Sequence, residues 1–173
     1  MDRKLVVQEA RQIMREYFPH ALGMTGSCLF WAAATIKAIR RHGAYAELQA
    51  GTCFWPRLKP DQPGEMRAYG YQWSLNSATL RWLSMGKLPE MHIWTLIPDT
   101  LEIVDMTSGF FPARCMETLN LDWPGDKPPE YFWQKAEYSL DWPEGLQYVA
   151  DPNATEIATR FIEHYLVTHL FQQ

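Results

Sequence analysis

Apolar side chains fall at Val6, Ala10, Ile13, Met14 and Tyr17. This spacing predicts a helix over residues 2–17, closed by Pro19. From Cys28 to about Arg41 apolar residues occupy every side of the helical wheel, with Lys37 and the Arg40-Arg41 pair gathered toward its far end. A helix apolar all round is a buried one, and Gly43 supplies its stop. "AYAELQAGTCFW" alternates in the two-residue rhythm of a strand until Pro56, and "RAYGYQWSL" reads as a second strand. "NSATLRWLSMG" predicts a short helix capped by Asn76 or Ser77 and ended at Gly86. "MHIWTLI" and "LEIVDMT" form two better-defined strands joined by "PDT". Between 107 and 150 no period dominates. "LDWP" occurs at 121 and again at 140 among Asp, Pro and Gly, a pattern of turns before aromatic-rich strands rather than a functional repeat. The chain closes on "NATEIATRFIEHYLVTHLF", where Asn153 and Glu156 form a capping-box pattern. Ile157, Phe161, Ile162, Tyr165, Leu166 and Leu170 make one apolar stripe there.

These elements predict one α+β domain over 1–173: an antiparallel sheet packed on a buried, cysteine-bearing N-terminal helix, with flanking helices. The 173-residue length suits a single domain on a prior of roughly 150 residues. An aromatic content of 14% supports a sizeable core. The net charge is −4 and no basic block occurs, which argues against nucleic acid as a partner. No apolar run reaches the ~18 residues that span a bilayer, and no signal-peptide core opens the chain, so a cytoplasmic location without membrane association is expected. Cys28, Cys53 and Cys115 are odd in number and widely spaced, which predicts reduced thiols, no disulfide framework and no metal site.

The stretch "TGSCLFWAAA" places Cys28 behind Gly26 and Ser27 at the head of the buried helix. With Ser27 as cap, Cys28 falls in the first turn, where unpaired N–H groups and the helix dipole favour a thiolate. A base is supplied by the hairpin. A two-residue turn at Pro98-Asp99 would pair Ile97 with Thr100 and, farther down the ladder, His92 with Asp105 on one face, with Cβ atoms about 5 Å apart. A carboxylate beside imidazole orients the ring and stabilises its protonated form. A slip of one residue would separate the two across the sheet.

"GSCLFWAAA" and "HIWTLIPDTLEIVDMTSGFF" resemble the cysteine approach and the H-x-W…D-x-T hairpin of the papain-like and transglutaminase-like cysteine hydrolase superfamily. The resemblance covers residues 26–110 and is nearer the compact transglutaminase-like arrangement than papain. It implies Cys28 as nucleophile, His92 as general base and Asp105 as the group orienting it, acting on a protein or peptide substrate or a small acyl donor without a cofactor. Leu22 stands where papain-type enzymes place the glutamine that stabilises the oxyanion. Gln72 or Trp73 is the candidate replacement. "DMTSGFF" is also faintly similar to a motif of arylamine N-acetyltransferases, whose arginine-containing cysteine motif is missing here.

The competing reading is a catalytically inactive domain of the same fold that holds a protein partner on a tryptophan-rich surface. Cys53 reads as core. Cys115 follows Arg114, which could lower its pKa, but has no base in sequence proximity. His164 and His169 are too far apart along the helix to share a face and bind a metal. His20 and His42 border helix ends as surface residues. No HExxH, P-loop, GxGxxG or GxSxG pattern occurs.

Overall fold

The computed structural model describes residues 1–58, 66–120, 122–123, 128–135 and 147–170. Helix α1 spans Arg3–Tyr17 and is capped by Asp2, whose carboxylate accepts from the Lys4 and Leu5 N–H groups at 2.9 and 3.4 Å. Its buried side chains are Val6, Val7, Ala10, Ile13 and Met14: the predicted stripe gains Val7, while Tyr17 at its end is only half-buried. A short 3-10 turn at Pro19–Ala21 leads to α2, Cys28–Arg41, which is followed by Gly43 in the left-handed conformation at φ 78°. Ala34, Ala38 and Ile39 on α2 are completely enclosed, as the all-round apolar pattern requires.

Among the described residues six strands form one antiparallel sheet: β1 Glu47–Leu58, β2 Met66–Tyr71, β3 His92–Ile97, β4 Glu102–Asp105, β5 Phe132–Lys135 and β6 Gln147–Ala150. β1 is the hub, pairing with β2, β3 and β6, while β4 joins β3 to β5. β1 continues beyond the expected stop, with Pro56 opposite Ala68. Proline has strand-compatible φ and forfeits only one ladder donor. β2 ends at Tyr71, sooner than its sequence suggests, and the Trp73 N–H turns to the Thr52 hydroxyl at 3.1 Å.

Helix α3, Ser77–Ser84, is capped by Asn76 and followed by Gly86 at φ 68°, as predicted. Helix α4, Phe111–Leu119, arises where the sequence shows no clear period. Helix α5, Pro152–Leu170, is capped by Asp151 rather than Asn153: the Asp151 carboxylate accepts from the N–H groups of Asn153 and Ala154 at 2.9 and 3.0 Å. Proline at the first helical position needs no N–H, which shifts the start two residues earlier than a capping box at Asn153 would. The second "LDWP" and the side chains of Leu166, His169 and Leu170 lie outside the described residues. Among the described residues no helix is long and apolar enough to cross a membrane.

The strand alternation sorts the core into two sides. Ile97, Val104 and Trp133 pack with α1 and α2, and Ala50 and Ile93 pack with Cys28, Leu29 and α5. On the opposite side Cys53, Tyr71, Trp94, Ile103, Phe132 and Tyr148 meet Phe111 of α4. At Gly51 the backbone of β6 approaches so closely that an added Cβ would lie 2.2 Å from the Val149 carbonyl oxygen. That obstacle is main chain and cannot rotate away. Gly51→Ala is therefore expected to destabilise the protein by about 2–4 kcal/mol, read as a lower urea midpoint.

Candidate active site

Gly26, at φ 77°, makes a left-handed turn that aims the chain into α2. Ser27 occupies the cap position by its backbone, but its hydroxyl donates backward to the Met24 carbonyl at 2.7 Å and makes no capping hydrogen bond. The expected Ser27 cap is thus corrected: the serine stabilises the approach loop, and the first N–H groups of α2 are left without a side-chain acceptor. Cys28 is the first residue of the helix, only 5% exposed, and its N–H has no hydrogen-bond partner among the described residues.

The hairpin register differs from the expected one. Ile97 pairs with Glu102, Leu96 with Ile103 and Thr95 with Val104, so Pro98–Leu101 is a four-residue loop, with Leu101 left-handed at φ 55°. The ladder is displaced by two residues. His92 is therefore diagonal to Asp105, and continuing the register puts Trp94 opposite the aspartate. An even displacement preserves the face, because side chains alternate with a period of two. The diagonal pair still closes: His92 Nε2 and Asp105 Oδ2 are 2.6 Å apart, with both side chains buried.

Asp105 is fully hydrogen-bonded. Its Oδ2 also accepts from the Tyr148 hydroxyl at 2.9 Å, while Oδ1 accepts from the Thr107 N–H and hydroxyl at 2.7 and 2.6 Å. Burial alone would raise this carboxyl. The His92 charge and hydrogen bond, with the Thr107 donors, outweigh that effect and hold it below its ordinary value of 3.8. Burial likewise disfavours a charged His92, but the Asp105 charge and hydrogen bond, helped by the Cys28 side chain, prevail and raise the ring from 6.5 to about 10. Burial first, and then the Asp105 charge, push the Tyr148 hydroxyl well above its usual range, so it stays a donor.

His92 is enclosed by rings. Tyr71 stacks on it at 4.8 Å between centroids, Phe111 meets it edge-on at 5.4 Å, and Trp94 and Tyr148 stand at 6.2 and 6.1 Å. With Nε2 committed to the aspartate, Nδ1 is buried without a hydrogen-bond partner and is the nitrogen left for the sulfur of Cys28. The structure thus joins His92 on β3 directly to Asp105 on β4, with the Cys28 side chain at the head of α2 near enough to help raise the ring.

The other candidates sort differently. Gln72 is exposed, whereas Trp73 is buried in the cluster that contains Cys28, with its main-chain N–H already given to Thr52. Cys53 is completely buried and its thiol is pushed well above the ordinary range, chiefly by burial. Burial also raises the Cys115 thiol, contrary to the lowering that Arg114 offered; the Arg114 guanidinium lies over the Tyr71 ring instead, at 5.9 Å. Among the described residues no three His, Cys, Asp or Glu side chains are grouped to hold a metal ion. Tyr148 and Phe111 carried no signal in the sequence. Thr107 did, as a residue two beyond an aspartate that can close a side-chain-to-backbone turn.

No family model, curated protein or solved structure matches this chain. The assignment of a function therefore rests on the site's own chemistry.

The His92–Asp105 pair makes stability depend on pH in a defined direction. His92 has a raised folded pKa, so its contribution is complete below 6.5, where the unfolded chain's histidine is also protonated, and is lost as pH rises toward about 10. Asp105 has a lowered folded pKa, so its contribution is complete above 3.8 and is lost as pH falls through the lowered value. Urea unfolding of the wild-type protein should lose on the order of 1–3 kcal/mol across the alkaline window. Asp105→Asn should flatten that slope; an unchanged slope would contradict the pairing.

Proposed function

We propose that this protein is a cysteine-dependent acyl-transfer enzyme of transglutaminase-like fold, acting on an amide or thioester of a protein, a peptide or a small acyl donor. The observation that carries the reading is the buried His92, held by Asp105 through one nitrogen and left with the other for Cys28. A cationic imidazole beside sulfur favours the thiolate, which is the nucleophilic form.

The reaction is written in two halves. The Cys28 thiolate adds to the substrate carbonyl, forming a carbon–sulfur bond and a tetrahedral oxyanion. The unpartnered N–H of Cys28 is available to donate to that oxygen, and the Trp73 indole is the remaining candidate for a second donor. As the intermediate collapses, the bond to the leaving amine or thiol breaks and His92 Nδ1 delivers its proton to that group. Water or an incoming amine then attacks the thioester, giving its proton to His92 and releasing the thiolate. Asp105 keeps its charge throughout and stabilises the imidazolium, with Thr107 and Tyr148 holding it in place.

The alternative is an inactive binding module. It draws on the exposed Leu80, Trp82 and Met85 around α3, although Trp31, Trp73, Trp94 and Trp133 are all buried. Thiol reactivity separates the two readings. Iodoacetamide followed by peptide mass analysis should modify Cys28 at least about tenfold faster than Cys53 or Cys115, and His92→Ala, checked for folding by circular dichroism, should remove most of that difference. Equal labelling of the three thiols in the native protein would exclude the enzyme and leave the binding module.

A further inference from the structure

A cavity of about 320 Å³ lies between α1, α2 and the segment after β4, and neither Cys28, His92 nor Asp105 lines it. Leu22, Met106 and Phe110 give it apolar walls. Arg11 and Arg15 reach it from successive turns of α1, on one helix face. Arg11 is already paired with Glu130 at 2.6 Å, whereas Arg15 has no ion-pair partner among the described residues. The cavity wall therefore carries one unmatched positive charge.

Trp31 supplies a second, independent feature. It lines the cavity and is only 6% exposed, so its ring adds a fixed aromatic wall to the apolar lining. The volume falls at the lower end of the range for small-molecule sites, roughly 300–1,000 Å³.

We propose that this cavity binds a small monocarboxylate with an aromatic or short aliphatic body. The Arg15 guanidinium matches the planar carboxylate, and Trp31, Leu22 and Phe110 cover the apolar part. A monoanion fits better than a dianion because Glu130 already neutralises Arg11. The site does not depend on the chemistry assigned to Cys28.

Phenylacetate is a suitable probe, titrated into the full chain by calorimetry and by nitrogen–proton spectra of the indole groups. Saturable binding should move the Trp31 indole resonance, which Trp31→Phe identifies by its disappearance. The neutral phenylacetamide should bind at least about tenfold more weakly, and Arg15→Gln should weaken phenylacetate by about tenfold. Arg15 is exposed, so its variant leaves the core untouched. The proposal is overturned if wild-type protein shows no saturable binding at about 10 mM. It fails equally if amide and carboxylate bind alike, or if Arg15→Gln retains full affinity.

Discussion

A single buried carboxylate organises the candidate site of this molecule. Asp105 is enclosed, yet it accepts four hydrogen bonds, from His92, Tyr148 and twice from Thr107. An isolated charge at that depth would cost far more than the fold could offset. Each donor is therefore part of what permits the charge to exist, and the charge in turn keeps a buried imidazole protonated. The arrangement is costly to break at one point: removing either charged partner leaves the other buried without compensation.

The sheet sets His92 and Cys28 on different faces, so the two come near each other only at the ends of their elements. Alternation along β3 sends Ile93 and Thr95 toward the helices, with the Thr95 hydroxyl 3.3 Å from the Ala32 carbonyl, and sends His92 and Trp94 toward the aromatic side. His92 is the first residue of β3 and Cys28 the first of α2, so both candidate groups sit where their elements begin. Gly51, opposite His92 on β1, also pairs with Ala150 and brings β6 and its Tyr148 toward the aspartate. Tyr71 and Phe111 then seal the ring from water, which strengthens every charge interaction inside.

Much of this was legible in the sequence, and the reasons are physical. The helix periods of α1 and α2 and the Asn76 cap are local signals, and they fixed those elements closely. The hairpin was legible in the property that mattered. The loop is twice as long as the Pro98-Asp99 turn suggested, but the resulting shift is even, so His92 and Asp105 stay on one face. Ser27 misled because a serine before a helix can donate to the preceding loop as well as accept from the helix, and the sequence does not say which. Asp151 displaced Asn153 as cap because Pro152 is a better first helical residue than it is a loop residue. Tyr148, Tyr71 and Phe111 were invisible because each reaches His92 or Asp105 through pairings distant along the chain, which no local period encodes.

The central claim is that His92 is a buried imidazolium sustained by Asp105. Nitrogen chemical shifts of its ring, followed from mildly acidic to strongly alkaline pH, test this most directly. The account predicts that both ring nitrogens remain protonated through neutrality and that the ring releases its proton only near pH 10, with Asp105→Asn bringing that release far lower. A wild-type ring that titrates near its ordinary value, or that is neutral at every pH, would contradict it.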